Sequence, residues 1–197
     1  LALRNWDFPG QKSRRVKRQK RETYLQGVIA ACRSLHREYG VSFFIYSQAQ
    51  GPSMAEDDRL ISGYVHDRLR VDIPCTHLRF VETPVGASPA WIIALLRHAD
   101  MLITSRMHAA IFAFLAGIPA VVIGYQHKSP GFLQALGLES CSLPIDEIGK
   151  EMLLSRCEDV WQNREKLKKI IIAAVCGTRE TIEAKFRLFF KEVDEKR

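Results

Sequence analysis

Short runs that are almost wholly apolar, "VSFFIYSQ", "HLRFVE", "DMLITS" and "PAVVIGY", recur along this chain, each separated from the next by a segment with helical spacing. A sheet with one wet face would alternate polar and apolar residues, so strands apolar on both sides call for cover on both faces. Alternating with helices at this pace, they predict a doubly wound parallel sheet, a Rossmann-like α/β fold.

The remaining pieces fit the same scheme. "LALRNW" is a short apolar and aromatic run ended by Pro9 and Gly10, and reads as a strand. A helix follows, reaching Gly40. "GPSMAEDDRLISGYVHDRL" reads as a helix entered through Gly51, Pro52 and Ser53. "SPAWIIALLRHA" reads as another, with Ser88 as N-cap and Pro89 at its first position. "RMHAAIFAFLAG" and "PGFLQALGL" are predicted helical, "CSLPI" a strand, and two charged amphipathic helices close the chain. No repeat, low-complexity segment or linker interrupts it, so residues 1–197 are taken as one domain.

Composition narrows the class without naming a chemistry. With 47% hydrophobic and 26% charged residues, the 197-residue chain has the profile of an ordinary soluble globular protein. Its net charge of +7 favours anionic partners. Five cysteines, an odd number with no CxxC pair, argue against a disulfide framework or a zinc knuckle and for a reducing compartment. The longest apolar run, Ala109 to Tyr125, is broken by Gly117 and Pro119, so no membrane span is expected and a cytoplasmic location follows. The chain opens without an initiator Met on what reads as the interior of a strand, so it is expected to be the carboxyl-terminal domain of a longer two-domain protein.

In open α/β sheets ligands bind beyond the carboxyl ends of the strands, where helix N-termini offer unpaired N–H groups to an anion. Arg106 and His108 fall at such a place, in a Ser105-Arg106-Met107-His108 turn between "DMLITS" and a buried helix. Lys128 follows the next strand, on the same sheet edge. Each residue alone has an ordinary structural role: an arginine pairs with a local carboxylate, a first-turn histidine packs, a loop lysine is solvated. Their convergence on one edge predicts a pocket for a ligand with two anionic groups, such as a phosphate and a carboxylate.

The stretch "SRMHAAIFAFLAGIPAVVIGY", followed by "HKSPGF" and "LGLES", resembles the carboxyl-terminal domain of the polysaccharide pyruvyl transferase family. The resemblance lies in the Ser105–His108 turn, the Gly-x-Pro strand entry, and a loop with Tyr125, Lys128, Gly131 and Phe132. A second, weaker likeness is "YSQAQGPSMAEDD", with Gln48, Gly51, Pro52, Asp57 and Asp58, and a third is the opening strand with Arg4 at its end. The resemblance implies half of a glycosyltransferase-B-like fold. It also implies an enzyme that takes phosphoenolpyruvate as donor and forms a pyruvyl ketal on a sugar or polysaccharide acceptor, lipid-linked or not.

In that reaction a carbon must be protonated, and His108 is the candidate acid. Arg106 offers a fork for carboxylate or phosphate, and Lys128 a point charge for the departing phosphate. Arg4, Gln48, Ser105, Met107, Tyr125 and His127 are the further candidates for substrate binding. No metal or cofactor is expected. Asp57 and Asp58 open a helix, where carboxylates meet its dipole favourably, and read as structural.

Two other classes stay open. A nucleotide-sugar glycosyltransferase of the same fold would hold a diphosphate at this edge, but it needs an acidic ribose reader where "HKSPGF" presents a lysine. A non-catalytic anion-binding domain would work through "KSRRVKRQKR", Lys12 to Arg21. That run has no interleaved aromatic residue, which disfavours nucleic acid, and it reads as a solvated face or a peripheral membrane contact. Seven cations near a helix N-terminus oppose the dipole, so helix stability does not explain them.

Overall fold

The computed structural model describes all residues except 52, 54, 55, 126, 127 and 195–197, and all their side chains except those of 128–130, 190 and 192–194. The expected alternation is present: α1 (Arg14–Tyr39), β1 (Phe43–Tyr46), α2 (Asp58–Leu69), β2 (Leu78–Val81), α3 (Pro89–Leu96), β3 (Leu102–Thr104), α4 (Met107–Leu115), β4 (Ala120–Gly124), α5 (Lys128–Ala135), β5 (Ser142–Pro144), α6 (Lys150–Gln162) and α7 (Arg164–Asp194).

β1 pairs with β2, and β3 with β4 and β4 with β5, all parallel. The first three residues connect these two groups. Leu1 N donates to Phe44 O and Tyr46 N to Leu1 O on one side; Ala2 N donates to Ile103 O and Ser105 N to Ala2 O on the other. The ladder therefore runs β2, β1, Leu1–Leu3, β3, β4, β5. Counting Leu1–Leu3 as the first strand gives the order 3-2-1-4-5-6, the doubly wound pattern, whose switch point lies between that segment and β3.

Local chemistry sets the element ends. α1 ends at Gly40, whose φ of 63° places it in the left-handed region that only glycine adopts without cost. Ser88 caps α3 by accepting from Trp91 N, with Pro89 behind it, as its sequence predicts. α2 begins later than its sequence suggests, at Asp58 rather than near Gly51. The Asp57 side chain accepts from Arg59 N, while Asp58 N donates to Ala49 O, so the chain first closes a loop and only then turns helical.

β3 and the first four residues of β4 are buried, and the faces of α1, α4 and α6 close over the sheet. Cys32, Cys141 and Cys157 lie inside, whereas Cys75 and Cys176 are exposed. Burial pushes the Cys32 thiol up to about 12, and raises those of Cys141 and Cys157 as well. Titration of the native protein with a thiol reagent at neutral pH is thus expected to modify Cys75 and Cys176 quickly, and the other three only after denaturant is added. Among the described residues no helix is long and apolar enough to cross a membrane.

Candidate functional site

The carboxyl ends of Leu1–Leu3 and β3 meet at the switch point, and two buried hydroxyls tie them together. Thr104 Oγ1 donates to Ala2 O at 2.7 Å and accepts from Arg106 N at 2.9 Å. Ser105 Oγ accepts from Arg4 N at 2.7 Å and lies 3.0 Å from the Tyr24 hydroxyl. Ser105 and Thr104 are almost fully buried, so their hydroxyls orient backbone instead of meeting solvent. Apart from the Thr104–Arg106 contact, the partners stand 81 to 102 residues apart, so no local sequence signal announces them.

Arg4 leaves this junction toward the sheet edge. Its Nη1 donates to the Tyr125 hydroxyl at 2.6 Å, and its guanidinium carbon lies 4.9 Å from the Tyr125 ring centre and 5.4 Å from that of Trp6. The two rings are themselves 4.2 Å apart. An arginine held by aromatic faces keeps its charge while losing much of its freedom. Its Nε is buried and has no acceptor among the described residues, a donor whose desolvation is left uncompensated.

Arg106 occupies the N-cap position of α4, where no side chain caps the helix. The first N–H groups of α4 therefore have no side-chain acceptor, and they carry the positive end of the helix dipole. The Arg106 guanidinium is largely committed: Nε and Nη2 reach both oxygens of Asp58 at 2.5 to 3.2 Å, and Nη2 also donates to Glu56 O at 3.3 Å. Asp58 is fully buried and accepts from Ala49 N at 2.9 Å. Burial raises its carboxyl above the usual range, with Arg106, Ala49 and Arg4 pulling the other way. The adjacent acids, alike in sequence, thus diverge: Asp57 caps α2 at the surface, and Asp58 anchors Arg106. Only the Arg106 Nη1 group is left without a partner among the described residues.

His108 sits one residue into α4, exposed and without a side-chain partner among the described residues. Met107 before it is partly buried. Gln48 lies past the end of β1, partly buried, and accepts from the Tyr46 hydroxyl at 3.3 Å. Lys128 is the first residue of α5 and not part of a loop; its side chain, and His127 entirely, lie outside the described residues. The structure thus brings Arg4, Ser105, Arg106, Met107, His108 and Tyr125 to one edge. Sequence reasoning missed Trp6, which stacks under Arg4, and Thr104 and Tyr24 behind it.

A depression of about 530 Å³ opens beside this cluster at the ends of β4 and β5. Trp6, Phe8, Tyr125, Pro144 and Asp146 line it. Phe8 holds φ at 47°, a left-handed conformation costly for a bulky residue and found where function or packing imposes it. A second depression, about 470 Å³, lies at the opposite edge beside Val41, Ser42, His77 and Asp100, and contains none of the candidate residues. Ligands of open α/β sheets bind at the carboxyl edge, so the first depression is the candidate pocket; among the described residues Tyr125 alone of the expected site residues lines it, and Arg106 and His108 stand outside its wall. Among the described residues no group of three or more His, Cys, Asp or Glu could hold a metal ion.

Comparison with known proteins bears on this edge directly. An 81-residue stretch is 31% identical to the amylovoran biosynthesis protein AmsJ of Erwinia amylovora. That stretch is 41% of this chain and 20% of the relative, so the match spans about a fifth of that protein's length. No solved structure matches the chain. The family model for polysaccharide pyruvyl transferase matches residues 11–127, which carry α1 through β4 and include Asp58 and the whole Ser105–His108 turn. As that span is more than half of the 197 residues, the chain belongs to the polysaccharide pyruvyl transferase family.

Proposed function

We propose that this chain holds the donor site of an enzyme that moves the pyruvyl unit of phosphoenolpyruvate onto two hydroxyls of a sugar in a polysaccharide or its precursor. The observation that carries the reading is the meeting, at the sheet's switch point, of the clamped Arg4 cation with the uncapped N-terminus of α4 and its exposed His108. Family membership, and the likeness to an amylovoran biosynthesis protein, support the polysaccharide side of the reaction. In this reading the chain is one half of a two-domain, glycosyltransferase-B-like enzyme.

The chemistry proceeds through two additions. His108 gives a proton to the methylene carbon of phosphoenolpyruvate, turning it into a methyl group and leaving the neighbouring carbon electrophilic. A sugar hydroxyl adds to that carbon and loses its proton. The carbon–oxygen bond to phosphate then breaks, phosphate departs, and the second hydroxyl closes the ketal and loses its proton in turn. Of the two hydroxyl protons, one replaces that given by His108 and the other leaves with phosphate. Arg4, the free Nη1 of Arg106 and the α4 N–H groups receive the donor's carboxylate and phosphate, while Lys128 meets the leaving phosphate. Ser105 positions Arg4, Gln48 and Met107 line the donor's approach, and Tyr125 faces the acceptor; His127 keeps the substrate-binding role given it by its place in the sequence.

Calorimetric titration with phosphoenolpyruvate, UDP and GDP tests the assignment. Phosphoenolpyruvate is expected to bind, and to bind at least roughly tenfold more weakly to Arg4→Gln, the loss of one charge-assisted contact. Binding of UDP or GDP without response to phosphoenolpyruvate would transfer the site to a nucleotide-sugar glycosyltransferase. Silence toward all three would remove the donor site from this chain.

A further inference from the structure

α1 carries more positive charge than its fold uses. Seven cations lie between Lys12 and Arg21, and the first turn of the helix contains no acidic residue. Cations there oppose the helix dipole and repel one another. Lys17 is paired with Asp7 at 3.0 Å and Lys20 with Asp146, whereas Lys12, Arg14, Arg15, Arg18 and Arg21 are exposed and have no partner among the described residues.

The position of this charge is fixed by the same helix. The Tyr24 hydroxyl meets Ser105 at the carboxyl edge of the sheet, so the turns before it project past that edge by about 1.5 Å per residue. One face of α1 then forms a wall with the start of α6. Arg15, Arg18, Gln19, Thr23 and Gln26 stand at helical neighbour spacing along it, and Lys150 opposes them across an open groove of about 760 Å³. Its floor is Gly27 and Ala30; a Cβ on Gly27 would stand 3.0 Å from Ile148 Cγ2, so the floor stays low because α1 packs there against the residues just before α6. The one acid among the described residues of the groove, Glu22, accepts from Gln26 at 2.7 Å.

We propose that this groove is the track of an acidic glycan, which lies along α1 and leads its sugars to the pocket at the sheet edge. The proposal rests on the pyruvyl-transfer reading. Each ketal formed adds one carboxylate to the glycan, so a chain already modified carries the charge that matches Arg15, Arg18 and Lys150. Arginine forks receive carboxylates through paired N–H groups, and the glutamine amides and Thr23 offer donors and acceptors to sugar hydroxyls. Among the described residues no aromatic side chain lines the groove, so they provide no stacking platform for nucleobases.

The test uses fluorescently labelled hexagalacturonate, with its fully methyl-esterified form as the uncharged control. The acid is expected to bind, and the ester to bind at least roughly tenfold more weakly. Arg15→Gln with Arg18→Gln should lose the acid by a similar factor, Arg15→Lys with Arg18→Lys should recover part of it, and both doubles should bind phosphoenolpyruvate like the unaltered chain. Equal binding of acid and ester, or undiminished binding in the glutamine double, would overturn the proposal. So would tighter binding of phosphatidylglycerol vesicles or oligothymidylate than of hexagalacturonate. If phosphoenolpyruvate fails to bind while hexagalacturonate does, the donor reading falls and the glycan groove stands.

Discussion

Arg106→Ala is expected to destabilise the fold by about 3–5 kcal/mol, because it leaves the buried Asp58 carboxylate without its partner. The loss of a charge-matching group in a site that excludes water is far costlier than that of a surface ion pair. Its pH dependence follows from the sign of the Asp58 shift. Burial already raises that carboxyl in the folded state, so the stability it contributes is fully present below the unfolded pKa and is lost as pH rises through the folded one. Without Arg106 the shift grows, and the penalty of the variant should shrink as the solution is acidified. Denaturant melts at neutral and acidic pH check both points. A penalty under 1 kcal/mol, or one that grows on acidification, would show that the pair does not hold the loop before α2 to the head of α4. Asp58→Asn with Arg106→Ala separates pairing from packing: the double should be more stable at neutral pH than Arg106→Ala alone.

His108→Ala should behave in the opposite way. The ring is exposed and unpartnered among the described residues, so the fold has little to lose and the melting transition should barely move. If the imidazole delivers the proton to phosphoenolpyruvate, phosphate release in the presence of acceptor should fall by about 10²–10⁴-fold, the usual contribution of a positioned acid. Donor affinity should change by only a few fold, since the backbone N–H at position 108 remains. Incorporation of one solvent deuterium into the product methyl group in deuterated water provides an independent readout. A variant that still releases phosphate at an unaltered rate would remove His108 from the chemistry while leaving Arg4 and Arg106 as a binding site.

The contrast between these two residues shows what the sequence discloses. The alternation of apolar strands with helices was legible because parallel strands buried on both faces leave an unbroken hydrophobic signature, and cap chemistry at Ser88–Pro89 and Gly40 is local. The Ser105–His108 turn could be placed on the carboxyl edge by the same logic. What Arg106 does there could not, since its fork closes on Asp58 from 48 residues away and nothing near either residue announces the pair. The helix-start role that sequence alone assigns to Asp57 and Asp58 holds for both, Asp57 as the cap and Asp58 in the first turn, but it does not disclose that Asp58 also anchors Arg106. Trp6 escaped notice for a similar reason. A lone aromatic residue after a strand is ordinary until the opposite side of the edge supplies Tyr125. Likewise, the basic run has a plain signature in composition, but that part of it opens onto a groove with Lys150 depends on how α1 and α6 cross.

The placement of Leu1–Leu3 between β1 and β3 has a consequence for how the molecule comes into being. This innermost strand is the earliest part of the segment to emerge during synthesis, yet its hydrogen-bonding neighbours appear much later: Phe44 lies 43 residues downstream, and Thr104, whose hydroxyl closes on Ala2, 102 residues downstream. Closure of such distant contacts is slow, because the entropy of the intervening loops is lost before the sheet rewards it. Until β3 is made, the hydrophobic segment that will join the two halves has one open edge, the condition under which strands pair with the wrong chain. The nascent protein is therefore expected to be most vulnerable to aggregation in the interval between β1 and β3, and chaperone capture should concentrate on that window.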